Sequence, residues 1–240
     1  MKILFSPSEG KNSENSAEKM ELLFDIETRR EILETYNEAV AHYDVEELKK
    51  LFGRKKESDF TDYLLDIFSA PTAKAVARYD GVAYDYLNYK NLDVDTQNYV
   101  DTHTLIFSNL FGVLRADDLI PNYKIKQGEN IRDIAPDKYY KKLFNDKLDD
   151  YLKDEEVLDL RAGYYDKFYK LTKPYTSMKF LKGGKTVSHW AKAYRGNVLK
   201  ALAENKIESI DALMNLKIEN LEVLEIKTTK NRSEIIYNIV

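Results

Sequence analysis

The sequence predicts a mixed α/β domain with helices packed around a mixed central sheet. Short apolar segments with the length of buried strands occur at residues 2–5, 104–108 and 156–160. Between them lie longer segments whose apolar residues recur every three or four positions, which is the spacing of amphipathic helices. Buried strands separated by helices favour a layered α/β architecture, and 240 residues suffice for a single domain over 1–240.

Composition narrows the class of protein. Hydrophobic residues make up 43% of the chain and charged residues 32%, which is typical of a soluble globular protein. The absence of cysteine excludes disulfides, thiol nucleophiles and cysteine-based metal sites, and the three histidines are too scattered for a metal site. The apolar run at residues 1–7 is too short for a signal peptide, and no segment approaches the roughly 18 apolar residues of a membrane span. We therefore expect a cytoplasmic protein with no membrane partner and no cofactor.

The first half of the chain reads mainly as helices. Residues 17–43 fit one long amphipathic helix or two short ones, and 45–52 fit a helix ended by Gly53. Further short helices are expected at 59–68, 72–79 and 95–102. Pro136 is suited to the first turn of a helix that runs to about residue 152.

The second half mixes strands and helices. Residues 123–126 alternate like a strand, and 177–181 with 186–190 read as two strands joined by Gly183 and Gly184. A helix over 191–203 follows, with Lys192 and Arg195 on one face. Residues 209–216 and 218–224 resemble a pair of small helices, and 222–227 with 234–239 predict a closing hairpin.

Positive charge is concentrated in one window. Residues 161–206 contain eleven Lys or Arg against two acids, a net charge of +9, whereas the whole chain carries −4 and the remainder therefore −13. Such segregation attracts a polyanion to one part of a protein that otherwise repels it. Aromatic residues such as Trp190 are interleaved with these cations, which suits the stacking of bases. A solvated basic face whose aromatics point into the core is the alternative.

Several polar residues follow predicted strands. Strand ends at Pro7, Ser108 and Arg161 and the helix start near Lys192 converge on one cleft if the strands are parallel. The segment 109–121 offers a second candidate, in which a turn at Gly112 presents backbone N–H groups and Arg115 to a phosphate. The alternative is an ordinary turn in which Gly112 allows close packing.

Taken together and in order, these stretches resemble the YaaA peroxide stress protein family. The residues that carry the resemblance are Ser6-Pro7, Gly81 with Tyr84, Phe111 to Arg115 with Asp118 to Ile120, Tyr123-Lys124 with Gly128, Tyr165 with Lys167, and Ala191-Lys192 with Arg195-Gly196. The chain departs from the family pattern at Ala116, Lys126, Ala162 and Tyr164, and Lys11 lies two residues later than the usual family lysine.

The resemblance implies a basic cleft, a helix-hairpin-helix-like element, DNA binding, and a role in limiting peroxide damage when free iron is present. The helix-hairpin-helix-like element would lie at 110–120 or at 206–224. Such elements grip phosphates without reading bases, so binding is expected to be structure-selective or non-specific.

Three hypotheses follow. The first is a DNA-binding stress protein; its phosphate contacts would be Lys11, Arg115, Lys124, Lys167, Lys185, Lys192 and Arg195, with Tyr123 or Tyr165 available for stacking. The second is an enzyme that processes a nucleotide, a modified base or another small phosphorylated ligand in the same cleft, because Ser6, Tyr84, Tyr123, Tyr165, Lys192 and Arg195 converge at strand ends. The third is direct iron sequestration, which the lack of clustered histidines and cysteines disfavours.

Overall fold

The computed structural model describes residues 1–15 and 19–240 and is organised around a mixed β-sheet. The strands in chain order are β1 (Lys2–Phe5), β2 (Gly10–Lys11), β3 (Thr72–Lys74), β4 (Tyr79–Asp80), β5 (Thr104–Ser108), β6 (Gly112–Arg115), β7 (Leu119–Pro121), β8 (Val157–Asp159), β9 (Tyr175–Lys182), β10 (Lys185–Thr186), β11 (Leu221–Thr228) and β12 (Arg232–Ile239). The α-helices are α1 (Arg30–His42), α2 (Val45–Phe52), α3 (Ala75–Arg78), α4 (Val82–Leu87), α5 (Val94–His103), α6 (Pro136–Leu152), α7 (Ser188–Glu204) and α8 (Ile210–Asn215).

The main sheet has the strand order β11-β12-β9-β8-β1-β5-β6, with β10 paired to β9. Its central strands β12, β9, β8, β1 and β5 are all parallel, and the edge strands β11 and β6 are antiparallel to their neighbours. The carboxyl ends of the five parallel strands therefore share one edge of the sheet, which we call the carboxyl edge. Ligands of open α/β sheets bind at this edge.

The predicted α/β class is confirmed, because the most apolar segments form the centre of the sheet. Ile3, Leu4 and Phe5 are at most 1% exposed, as expected for strands covered on both faces. The strands predicted at 2–5 and 104–108 match β1 and β5. The helix predicted at 45–52 is α2, which begins with a capping box at Asp44 and ends at Gly53 with φ of 62°.

Six predicted segments differ from the structure. Within 17–43, the one α-helix in the described part is α1, preceded by a 3₁₀ helix (Ile26–Arg29); Glu21 makes a β-bridge with Leu119, and residues 16–18 lie outside the described part. Residues 59–68 form only short 3₁₀ turns, and residues 72–79 contain β3, the four-residue α3 and the start of β4 in place of one helix. Residues 123–126 form no strand, and the strand predicted at 186–190 is short because α7 begins at Ser188. The second helix of the predicted pair, 218–224, does not form: residues 219–220 are a turn and β11 begins at Leu221.

Neither candidate segment contains a helix pair. Residues 110–120 form strands because Gly112 adopts a φ of 68° and reverses the chain between β5 and β6. A Cβ there would collide with the Tyr140 ring, which confirms the alternative that Gly112 allows close packing. In 206–224, α8 is followed by β11, whose apolar Val223 pairs with Tyr237 of β12.

Helices α4 and α7 make an unusually close contact. Gly196 of α7 lies so near α4 that a methyl group at this position would overlap the carbonyl oxygen of Ala83. A residue with any side chain would force the helices apart, because the obstacle is backbone. Both helices begin near the carboxyl edge, so this contact fixes two of the walls described below. Among the residues that the structure describes, no helix is long and apolar enough to cross a membrane.

Candidate functional site

A cavity of about 540 Å³ opens at the carboxyl edge of the sheet. Its walls come from four parts of the chain: the loop after β1 (residues 6–9), the start of α4 (residues 81–84), the loop after β8 (residues 162–165) and the first turns of α7. Gln127 adds to its rim. Two of the four positions predicted to converge, Pro7 and Lys192, line this cavity, together with the loop that follows Arg161. Arg161 and Ser108 themselves are not in its wall.

Ser6 joins three of these walls. Its Oγ accepts a hydrogen bond of 2.8 Å from the Ala162 N–H, and its carbonyl oxygen accepts one of 2.9 Å from the Tyr84 hydroxyl. Gly81 opens α4 with φ of 139°, and a Cβ there would lie 2.7 Å from the Ser8 Oγ. Hydrogen bonds thus hold the loop after β1 against both α4 and the loop after β8.

Lys124 is buried below the rim and holds the loop after β1. Its Nζ donates to the Glu9 carbonyl oxygen at 2.9 Å and lies 3.3 Å from the Glu9 carboxylate. Burial lowers the pKa of Lys124, and the charge of Glu9 opposes that shift. Burial likewise opposes ionisation of Glu9, but the Gln127 N–H and Lys124 together hold the pKa of Glu9 below its usual value. The charge of Lys124 is therefore balanced by a carboxylate of the protein itself.

A chain of hydroxyl groups lies beneath the cavity. The Tyr123 hydroxyl is 2.7 Å from both the Tyr79 hydroxyl and the Ser108 Oγ, and Ser108 also accepts the N–H groups of Leu110 and Phe111. Burial raises the pKa of Tyr79 to about 12 and that of Tyr123 well above its usual value. Tyr123 is only 2% exposed, so it is not available to stack on a nucleic acid.

Lys11 borders this hydroxyl chain. Its Nζ lies 4.1 Å from the centroid of the Tyr123 ring and 5.3 Å from that of the Tyr79 ring, and it donates to the Ser8 carbonyl oxygen at 3.3 Å. Burial of the amino group, together with the positive charge of Lys124, lowers the pKa of Lys11 well below its usual value. The structure does not place Lys11 in the cavity wall.

Lys192 and Arg195 line the cavity from the first two turns of α7, on one helix face as predicted. Lys192 is exposed and Arg195 is half-buried. Neither side chain has an ion pair or hydrogen bond to another side chain or backbone group that the structure describes. Burial lowers the pKa of Arg195, and the charge of Asp159 partly offsets this effect.

Arg195 also lines a second cavity of about 250 Å³ on its other side. The other arginines there are already paired: Arg161 contacts Asp159 at 2.8 Å, and Arg232 contacts Glu234. The guanidinium of Arg195 therefore stands between two adjoining cavities and, unlike Arg161 and Arg232, has no carboxylate of its own in the described structure.

The +9 window divides into cations that serve the fold and cations that face solvent. Lys173 donates to the carbonyl oxygens of Leu152 and Glu155 at the end of α6, Lys200 pairs with Glu204, and Lys206 pairs with Asp95. Lys182 lies over the ring of Trp190, which is 39% exposed. Lys185 is exposed in β10, and Lys167 lies over the Tyr164 ring at 4.9 Å from its centroid.

Arg115 lies at the opposite edge of the sheet from the cavity. It pairs with Leu105 at the start of β5, because β6 runs antiparallel to β5. Its guanidinium is held by Asp117, with a distance of 2.9 Å between Nη2 and Oδ2. The structure thus brings Ser6, Tyr165, Lys192 and Arg195 together at the cavity and keeps Arg115 away from them.

Gln127 and Glu9 line the cavity but were absent from the predicted site residues. Gln127 donates from Nε2 to the Tyr165 hydroxyl at 3.2 Å, and the Gln127 N–H donates to the Glu9 carboxylate at 3.0 Å. The sequence did contain a signal for the turn that holds Gln127, namely Gly128 in the motif that begins at Tyr123. Gly128 has a φ of 83°, which favours glycine. Within residues 1–15 and 19–240, no group of three or more His, Asp or Glu side chains is arranged to hold a metal ion.

Comparison with known proteins gives a consistent result. The family model described as peroxide stress protein YaaA matches residues 1–226. An uncharacterized protein of Campylobacter jejuni is 44% identical over 248 aligned residues, which cover 100% of both chains. UPF0246 proteins of Fusobacterium nucleatum and Finegoldia magna are 25% and 26% identical, over 93% and 100% of this chain and 93% and 99% of their own.

Proposed function

Because the chain belongs to the peroxide stress protein YaaA family, we propose that it acts in the peroxide response by binding the phosphate backbone of DNA. The contacts are made by the cations around the mouth of the cavity. The observation that carries this proposal is the unpaired state of Lys192 and Arg195 among the described side chains, whereas the charges of Glu9, Arg161 and Arg232 in the same cavity walls are matched. An ammonium and a guanidinium without carboxylate partners are suited to phosphate oxygens.

The surroundings of Lys192 and Arg195 support an extended nucleic-acid strand as the ligand. Exposed Lys182 and Lys185 continue the positive charge along β9 and β10, and Trp190 offers an exposed aromatic face beside Lys182. Aromatic faces next to cations bind the bases and phosphates of unpaired strands without selecting a sequence. Of the other phosphate contacts predicted from the sequence, Lys124 is bound to Glu9 and Arg115 to Asp117, so the proposed surface does not include these two of the seven predicted contacts.

Because the proposed surface has few cations, its affinity for DNA should depend only weakly on salt concentration. Each phosphate neutralised contributes about 0.9 to the slope of log affinity against log salt for duplex DNA. Four cations, namely Lys182, Lys185, Lys192 and Arg195, therefore predict a slope of about −3 to −4. The net charge of −4 opposes any longer footprint on the duplex.

Fluorescence anisotropy of labelled duplex, flapped and single-stranded DNA across a salt series tests the proposal. The variant Lys192→Ala/Arg195→Ala is expected to bind at least tenfold more weakly than wild type. The matched control is Lys200→Ala/Lys206→Ala, which removes the same charge from cations that pair with Glu204 and Asp95. Its binding should change less than about threefold, because only the long-range field is altered.

Two results would contradict the proposal. One is the absence of binding by wild type to all three DNAs at low salt. The other is equal weakening by both double variants, because binding would then follow total charge and not the two cations at the cavity.

A further inference from the structure

Backbone binding does not account for the cavity itself. Exposed cations are sufficient to hold phosphates, yet a space of about 540 Å³ lies directly behind Lys192 and Arg195. Cavities of several hundred Å³ are the size that encloses small organic ligands. The space is enclosed on several sides by backbone that hydrogen bonds hold in place, as described for Ser6, so it is a formed site before any ligand arrives.

Three polar groups on its wall have unused hydrogen-bonding capacity. The Ser6 Oγ accepts the Ala162 N–H, and its own proton has no acceptor among the described groups. The Tyr165 hydroxyl accepts from Gln127, which likewise leaves its proton unused. The side-chain oxygen of Gln127 and its second N–H have no partner in the described structure. The wall therefore offers two hydroxyl donors and one amide edge.

The chemistry of the wall favours a planar heterocycle. A glutamine amide presents a donor and an acceptor side by side, which matches the edge of a nucleobase. Pro7, Val82 and the Tyr164 ring supply apolar surface for the faces of such a ring. The carboxylate in the lining, Glu9, is held by Lys124 and Gln127, so it does not repel a phosphate at the mouth.

We infer that this cavity receives one nucleotide, with its base enclosed by Tyr164, Tyr165 and Gln127 and its phosphate at Lys192 and Arg195. The nucleotide is an unpaired residue of the bound DNA strand, and in this respect the inference rests on the proposed DNA binding. Taking a paired base out of a duplex costs a few kcal/mol, and this cost is small when the base is already unpaired. Binding should therefore favour DNA that contains an unpaired nucleotide.

The test uses duplexes of one sequence, with and without a single bulged 2-aminopurine, a fluorescent adenine analogue. Wild type is expected to bind the bulged duplex at least tenfold more tightly and to change the 2-aminopurine fluorescence on binding. Ala162→Phe places a ring in the cavity without removing a charge, and it should abolish the preference and the fluorescence change while leaving affinity for the intact duplex within threefold. Ala191→Phe is the matched control, because Ala191 lines the smaller cavity only.

The outcomes separate the two proposals. Equal affinity for both duplexes, with unchanged 2-aminopurine fluorescence, would overturn the inference and leave backbone binding intact. An effect of Ala191→Phe as large as that of Ala162→Phe would also overturn it. Failure of wild type to bind either duplex would contradict the proposed function as well.

A competition with a 5′-mononucleotide distinguishes the source of the nucleotide. If the cavity takes a nucleotide of the strand, added adenosine 5′-monophosphate at 1 mM should leave the fluorescence change in place. Complete displacement at this concentration would overturn a strand-borne ligand and assign the cavity to a free nucleotide. Thermal unfolding of Ala162→Phe shows whether it is folded, and Ala162→Leu replaces it if it is not.

Discussion

Two pairs of cations in this protein differ in how deeply they are buried and in whether they have hydrogen-bond partners. Arg29 and Arg78 are 0% exposed, yet their guanidinium groups are supplied with oxygen atoms: Arg29 donates to the carbonyls of Phe111 and Phe24, and Arg78 to the Asn12 carbonyl and the Asn15 side chain. Lys192 and Arg195 are more exposed and have no such partners among the described groups. The deeply buried pair belongs to the fold, whereas the less buried pair is available to a ligand.

The comparison teaches that the partners of a cation are more informative than its burial. A buried guanidinium is tolerated when carbonyl oxygens replace the water that it loses. A half-buried guanidinium without hydrogen-bond partners, such as Arg195, has lost part of its hydration, and the charge of Asp159 offsets this loss only in part. Removing a cation of the first kind should therefore destabilise the protein, whereas removing one of the second kind should change its stability little.

The largest effect is expected for Arg78→Met. The substitution leaves the Asn12 carbonyl and the Asn15 amide oxygen without their donor, and we expect a loss of about 3 kcal/mol in the free energy of unfolding. Urea denaturation followed by circular dichroism measures it. Arg30→Met is the control, since the ion pairs of exposed Arg30 in the described structure are with exposed Glu27 and Glu34, and its removal should cost much less. Equal losses would contradict the comparison.

A comparable loss, about 3 kcal/mol, is expected for Arg161→Met. Arg161 is paired with a carboxylate, and its removal leaves the largely buried Asp159 without a counter-charge. The double variant Arg161→Met/Asp159→Asn should recover part of this loss, because it no longer buries an unpaired charge. If the double variant lost as much free energy of unfolding as the two single variants together, the interaction between Arg161 and Asp159 would contribute nothing to stability.

Lys11 lies between these two kinds of cation. The pH dependence of stability tests whether its amine is charged in the folded protein. Its pKa is lowered in the folded state from a usual value of 10.5, so between the two pKa values the unfolded chain binds more protons. Stability then rises as pH increases towards 10.5, by at most about 1.4 kcal/mol per pH unit. The difference in stability between wild type and Lys11→Met should grow in favour of wild type from pH 7 to pH 10. A constant difference would show that the Lys11 amine is charged in the folded protein.

The smallest effect is expected for Arg195→Met. Arg195 has no described partner that its removal would leave unsatisfied. The free energy of unfolding of the variant should therefore stay within about 1 kcal/mol of that of wild type. An increase would support the contrast with Arg78 more strongly than a decrease. Binding to DNA should fall in the same variant. A loss of stability above 2 kcal/mol would mean that Arg195 belongs with Arg78 and is structural.

The sequence predicted the sheet well where the signal is local. The apolar run of β1 and the glycine and proline that bound α2 and α6 define those elements without knowledge of the rest of the chain. Convergence at the cavity was also predictable, because parallel strands place their carboxyl ends on one edge. Ser6, Tyr165, Lys192 and Arg195 were identified in this way.

The remaining features depend on contacts between distant residues. Lys124 lies in a segment that alternates like a strand, but the residue is buried and its amine is bound to Glu9, 115 positions earlier in the chain. Arg115 was expected near the cavity, and only the reversal of β6 at Gly112 shows that it lies at the other edge. Residues 218–224 have helical spacing as well as the apolar content of a strand, and pairing with β12 decides between them.

The contact between Gly196 and Ala83 has a consequence for how the cavity responds to a ligand. Helices whose backbones touch cannot move closer, and the interlocked surfaces oppose a sliding motion. The distance between the start of α4 and the cations of α7 is therefore set by main-chain dimensions and not by side chains that rearrange. Such a cavity is preorganised: it forfeits little conformational entropy on binding and discriminates among ligands by their width.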